Sequence, residues 1–152
     1  MLKKNTDTLH ILLADDDEDD RAFFTDALNG SKLNTELDTV HDGDELLTYL
    51  NAEDVKLPDV IFLDMNMPKK NGMECLVEIR GNTRLRNIAV AIYSTSSNSA
   101  EVDDAFVKGA NIYINKTPDF EKLKEIILEV LDLNWQYCFE AKLDRGYFLL
   151  VR

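Results

Sequence analysis

A doubly wound α/β fold, with a parallel sheet covered by helices on both faces, is what this sequence predicts. Three observations carry that expectation. Short apolar runs alternate with segments of helical periodicity five times along the chain, the pattern of strand–helix units sharing one sheet. Two of the runs, residues 60–63 (V-I-F-L) and 88–93 (I-A-V-A-I-Y), are apolar throughout, as strands buried on both faces are. Residues 60–63 end on a carboxylate, Asp64, with Asn66 and Pro68 just beyond. Proline cannot continue a central strand, so the acid stands at a strand tip with a loop behind it, where an open α/β sheet places its chemistry. The crossovers between such strands are right-handed.

The elements follow in order. Residues 10–14 (H-I-L-L-A) read as the first strand, which stops at an acidic block, residues 15–20. Phe23, Phe24, Ala27 and Leu28 have helical spacing over residues 21–28, and Asn29-Gly30 is a stop signal. Residues 35–40 (T-E-L-D-T-V) alternate as a half-buried second strand. Asp42 can cap a helix containing Leu46, Leu47 and Leu50. After the third strand, Asn71-Gly72 opens a helix with Met73, Leu76, Val77 and Ile79 inward, ending at Gly81-Asn82. The fourth strand leads into a hydroxyl-rich loop, residues 94–99, and then a helix over residues 100–108 with Val102, Ala105 and Phe106 on one side and Gly109 as its stop. Residues 111–115 (N-I-Y-I-N) are a short last strand, followed by Lys116-Thr117-Pro118. A helix over residues 119–131 carries a stripe of Leu123, Ile126, Ile127, Val130 and Leu131. Residues 1–8 are a lead-in, and residues 132–152 do not make a sixth unit. That tail holds Trp135, Tyr137, Phe139, Tyr147 and Phe148, too many large apolar groups for a disordered segment. Residues 146–151 suit a short strand, and the tail is expected to pack on the domain or on a partner chain.

Bulk properties narrow the function. At 152 residues one domain is the expectation. The net charge of −12 disfavours nucleic acid, which needs a basic footprint, and an anionic membrane surface. No run approaches the length of a bilayer span, and the two early lysines have no apolar stretch behind them, so no signal peptide is expected. Cys75 and Cys138 belong to no metal or redox pattern. They read as free thiols of a cytoplasmic protein.

A parallel sheet brings every strand's C-terminal end to one rim. The first strand ends at Asp15 and Asp16, the third at Asp64, the fourth at Ser94 and the fifth at Lys116. Three clustered carboxylates repel one another, and a hard divalent cation removes the conflict. Oxygen ligands without His or Cys suit Mg²⁺ (or Mn²⁺) rather than Zn²⁺. Beside a cation and a lysine, Asp64 is set to attack phosphorus and form an aspartyl phosphate. Asp15 and Asp16 would hold the metal, with the backbone carbonyl of Asn66 as a further ligand. Lys116 would pair with the phosphoryl oxygens, and Ser94 would hydrogen-bond the group once in place. Asp17, Glu18, Asp19 and Asp20 read as first-turn acids favoured by the helix dipole. His10, His41, Met65, Met67 and Met73 read as structural.

Taken together, I-L-L-A-D-D with Asp15 and Asp16, F-L-D-M-N-M-P with Asp64, then Ser94, Tyr113 and Lys116 resemble a response regulator receiver domain (CheY-like) of two-component signalling. Ser94 lies 30 residues after Asp64, and Lys116 lies 22 after Ser94, as the family pattern requires. The resemblance covers residues 9–131. It implies a flavodoxin-like (βα)5 sheet in the order 2-1-3-4-5, and phosphorylation of Asp64 by a histidine kinase or a histidine phosphotransfer protein. It also implies that Ser94 and Tyr113 rearrange afterwards and alter the face made by the fourth helix, fifth strand and fifth helix. That face, or the C-terminal extension, could seat a homodimer. The acid-rich start and Trp-containing tail are similar to stand-alone receivers found beside phytochrome-like sensor kinases. One departure is local. The family usually has proline directly after its lysine, with a cis bond, and here Thr117 intervenes. Either the Lys116–Thr117 bond is cis at a cost of about 2.5–4 kcal/mol, or the loop is built differently.

The expected function is therefore a phospho-acceptor switch rather than an enzyme, with self-phosphorylation and autodephosphorylation as its only chemistry. Its output is contact with other proteins, because about 20 residues after Leu131 are too few for a typical DNA-binding effector. A phosphorelay intermediate passing phosphate to a histidine phosphotransfer protein uses the same residues. An Asp-nucleophile phosphohydrolase would want a second acid where Asn66 stands. A flavodoxin-like FMN carrier would not place acids at the phosphate-binding loop. A receiver that works without phosphate would not need the full set of acids and Lys116.

Overall fold

The computed structural model describes residues 8–96, 98–132 and 149–151. Six strands and five helices alternate: β1 (Leu9–Ala14), α1 (Glu18–Gly30), β2 (Thr35–Val40), α2 (Gly43–Asn51), β3 (Val60–Leu63), α3 (Gly72–Gly81), β4 (Ala89–Ser94), α4 (Ser99–Lys108), β5 (Ile112–Asn115), α5 (Phe120–Leu131) and β6 (Leu149–Val151). All pairings are parallel, in the order β2-β1-β3-β4-β5-β6. The five-strand order expected from the resemblance is present, and β6 extends it beside β5. The tail thus contributes a strand without a following helix among the described residues. Trp135, Tyr137, Cys138, Phe139, Tyr147 and Phe148 lie outside the described residues.

The core has two halves because successive strand residues point to opposite faces. On one side Leu12, Ala14, Ile61, Leu63, Val90 and Ile92 meet buried groups of α2, α3 and α4, including Leu46, Leu76 and Ala105. On the other, Ile11, Leu13, Phe62 and Ala91 meet Phe24 and Leu28 of α1 and Leu123 and Ile127 of α5. β3 and β4 are buried along their whole length, as their unbroken apolar runs require. β2 is an edge strand with one fully buried residue, Val40.

Each helix begins on an Asx cap: Asp17, Asp42, Asn71, Asn98 and Asp119 each accept from backbone N–H groups of the first turn. Such caps satisfy donors the helix itself cannot. They sit in the loops that leave the C-terminal rim of the sheet, so they hold that rim in shape.

The structure departs from the sequence reading at four places. α1 starts on the acidic block and runs through Gly30. Its chain reversal falls instead at Lys32, with φ of 60°, after Ser31 and Lys32 bond back to Leu28 and Asn29. Val77 is half exposed rather than inward, and Cys75 takes the inner position. β4 includes Ser94 but not Ile88. β5 starts at Ile112; Asn111 just before it bonds Val90 through both its amide and its side chain, which also accepts from Arg80. No cis peptide bond occurs among the described residues, so the loop after Lys116 is built with Thr117 in trans. No helix among those residues is long and apolar enough to cross a membrane.

Candidate functional site

The rim is set by three backbone hydrogen bonds that carry the ladders one residue past the strands. The Asp15 amide donates to Val40 (3.1 Å), the Asp64 amide to Ala14 (2.9 Å) and the Lys116 amide to Ser94 (2.7 Å). The register pairs Ala14 with Leu63 and Ser94 with Asn115. The residue after each strand is therefore fixed at the same edge, and Asp15, Asp64 and Lys116 converge from positions far apart in the chain.

Oxygens of Asp15, Asp16 and Asp64 all lie within 4.8 Å of one another. Asp15 and Asp64 are buried, and Asp16 is exposed to solvent. Asp15 is held at both oxygens: Oδ1 accepts from the Asp17 amide (3.0 Å) and Oδ2 from Lys116 Nζ (2.8 Å). Arg21 donates to the Asp15 carbonyl (2.8 Å) and ties α1 to the same loop. Asp64 Oδ1 accepts from the Asn66 amide (3.2 Å), and its Oδ2 lies 3.7 Å from Lys116 Nζ.

Burial pushes the Asp64 carboxyl up, and the Asp15 charge adds to that; Lys116 pulls it down, and the balance is about 7. For Lys116 burial opposes the charge, but hydrogen bonds to Asp15 and Asp20 outweigh it and hold the ammonium above its ordinary range. Tyr93 lies under the ammonium, 5.0 Å from Nζ to the ring centroid, at cation–π distance. The donor set is all oxygen, its carboxylates are crowded and one is forced toward neutrality. That fits a hard divalent cation, for which Asp15, Asp16 and Asp64 are the residues present.

Ser94 and Tyr113 lie at the other side of the rim. Ser94 is fully buried, and its Oγ accepts from the Ser96 amide (3.1 Å). Tyr113, also fully buried, donates from its hydroxyl to the Ser96 carbonyl (2.8 Å). One peptide segment thus links the two.

Four residues of the site were not singled out by the sequence reading. Asp20 is the correction: its Oδ2 accepts from Lys116 Nζ at 2.9 Å, so it is more than a first-turn acid. Its place three residues after the Asp17 cap is the only sequence signal, and that signal points to helix capping. Ser96 links Ser94 and Tyr113 through its backbone, which no side-chain pattern reveals. Gly72 lets α3 pass against the Asp64 loop: a Cβ there would lie 2.3 Å from the Asp64 carbonyl oxygen. Gly43 is similarly pressed against the Lys70 carbonyl, at 2.0 Å from a would-be Cβ. A shallow cleft of about 430 Å³ beside the site is lined by Met65, Asn66, Met67, Asn71, Met73 and Glu101.

Comparison with known proteins agrees with this geometry. Residues 11–128 match the response regulator receiver domain. The chain belongs to that family. It is 31% identical to the response regulator Rcp1 of Synechocystis over 121 residues, covering 77% of this chain and 82% of Rcp1. It is also 31% identical to the chemotaxis protein CheY1 of Helicobacter pylori over 127 residues, 83% of this chain and 99% of that protein. Among solved structures it resembles the phosphorylated cyanobacterial phytochrome response regulator RcpA, with a TM-score of 0.77 and 32% identity over 86% of this chain and 96% of that one. The Mn²⁺-bound form of Rcp1 superposes with a TM-score of 0.72 and 30% identity over 80% and 91% of the two chains. The chain is a receiver of two-component signal transduction, and its family is one of signalling switches.

Proposed function

We propose that Asp64 is the phosphoryl acceptor of this receiver and takes the group from the phosphohistidine of a sensor histidine kinase or a histidine phosphotransfer protein. The observation that carries this is the convergence of Asp64 with Asp15, Asp16 and Lys116 at one rim. An Asp64 oxygen attacks phosphorus, the bond from phosphorus to the donor nitrogen breaks, and the histidine leaves with a proton from solvent. Lys116 neutralises the phosphoryl oxygens as they arrive. Mg²⁺ or Mn²⁺, held by Asp15, Asp16, Asp64 and the Asn66 carbonyl, would supply charge neutralisation when bound. The Mn²⁺-bound form of the related Rcp1 supports that choice of ion.

The signal then leaves through Ser94 and Tyr113. If the phosphoryl group draws the Ser94 hydroxyl toward itself, the Ser96 amide loses its acceptor. The Ser96 carbonyl, which holds Tyr113, shifts with it. Tyr113 shares a core cluster with Val102 and Ala105 of α4, so a shift there would alter the α4–β5–α5 side. Such a change is a shift between two existing arrangements. We assign residues 9–131 to the receiver and residues 132–152 to an extension packed on it or on a partner; β6 beside β5 supports packing at that side. That is also where a homodimer would form, and where a protein target would read the switch.

Transfer tests the reading. Label from a phosphorylated histidine kinase should move to this chain in the presence of Mg²⁺ and be released by hydroxylamine, as an acyl phosphate is. Onward passage to a histidine phosphotransfer protein would assign the chain to a phosphorelay. Hydroxylamine-stable label would mean that the acceptor is not a carboxylate.

A further inference from the structure

Lys116 carries three N–H donors. Two point to Asp15 (2.8 Å) and Asp20 (2.9 Å), while Asp64 stays at 3.7 Å, beyond a hydrogen bond. The ammonium therefore rests on the α1 side of the site. Asp15 belongs to the three-carboxylate cluster, so its charge is answered by the cation that the cluster suits. Asp20 lies outside that cluster and keeps its claim on Lys116. Its backbone is fixed in the first turn of α1, where its amide donates to the Asp17 cap at 3.0 Å.

We propose that Asp20 is a positioning residue that competes with the phosphoryl group on Asp64 for the Lys116 ammonium, and so sets how readily Asp64 is phosphorylated. The proposal rests on Asp64 being the acceptor. Two physical effects act in the same direction. Reaching hydrogen-bond distance of the phosphoryl oxygens, about 2.8 Å, draws Nζ from its place beside Asp20, whose backbone is held in the first turn of α1. The Asp20 charge also repels an arriving anion. Its side chain is 42% exposed, so solvent weakens both effects, and the scale is that of one partly screened ion pair.

The test uses the full chain with saturating Mg²⁺. The affinity for beryllofluoride, an inorganic mimic of a phosphoryl group, is followed by ¹⁹F NMR, and the phosphorylation rate is measured with acetyl phosphate. Asp20→Asn and Asp20→Ala should raise both by about two- to fivefold, the range of a surface ion pair. Asp20→Glu, which restores the charge, should return both toward wild type. In a Lys116→Ala background the gain from Asp20→Asn should fall to the part that charge repulsion alone supplies, because the competition acts through the ammonium. Values unchanged or lowered in both neutral variants overturn the proposal, as does a gain of undiminished size without Lys116. If the wild type itself binds no beryllofluoride and takes no phosphate, the Asp64 reading fails first. If it does both and the Asp20 variants match it, only the competition is wrong.

Discussion

Burial at a strand tip gives Asp64 its character. Its carboxyl is raised to about 7, first by burial and then by the Asp15 charge. An acid with a raised folded-state pKa binds its proton more tightly in the native state than in the unfolded one. Stability from that proton is full below the unfolded value of 3.8 and is lost as pH climbs to about 7. Without divalent cations, Asp64→Asn should therefore melt above the wild type at pH 8. The gap should approach zero near pH 4, and the shift bounds it at about 4 kcal/mol. Melts of both proteins in EDTA across that range decide it; a variant less stable at pH 8 would contradict the raised acid. At this scale Asp15, Asp16, Asp64, Ser94 and Lys116 were legible, because each follows an apolar run and strand ends share a rim. Asp20 was not, since its contact with Lys116 joins residues 96 positions apart and its local pattern is that of a helix start.

Elements place those residues, and α3 does so by close approach. A methyl at Gly72 would enter the Asp64 carbonyl, which is backbone and cannot rotate aside. Gly72→Ala should cost about 1–3 kcal/mol and slow phosphorylation by displacing the Asp64 loop. Chemical denaturation together with an acetyl phosphate time course checks both. Unchanged values would mean that the loop yields freely. The same helix start was visible as Asn71-Gly72, but neither its capping box with Glu74 nor the reason for the glycine was. It depends on where β3 and α3 meet in space. The same holds for β6. Apolar residues at the chain end suggested a strand, whereas its parallel partner β5 could not be read from spacing. The stop signal Asn29-Gly30 stands at the end of α1, but the chain reverses two residues later, at Lys32.

For the molecule as a whole, the proposed cation site would link folding to metal binding through the rim. A cation that binds only the folded chain adds about 2.7 kcal/mol at 100 times its dissociation constant, or roughly 5–10 °C in melting temperature for a chain this size. Mg²⁺ should therefore raise the melting temperature of the wild type but not of Asp15→Asn. The rise should grow with pH through about 7, because binding must displace the Asp64 proton. An equal rise in Asp15→Asn would assign the effect to the general negative charge of −12 and not to the site. The fold class followed from the alternating pattern, because periodicity reports burial, and the strand order from the resemblance carried by the rim motifs. The hydrogen-bonded path from Ser94 through Ser96 to Tyr113 did not, because it runs through backbone groups common to every residue. The acids and the lysine of the rim meet at one carboxylate, Asp64. Its most direct test is the intact mass of the chain after incubation with acetyl phosphate and Mg²⁺. One added phosphoryl group on the wild type, absent with EDTA and absent in Asp64→Asn, is the expected result. No adduct, or an adduct that persists in Asp64→Asn, would contradict it.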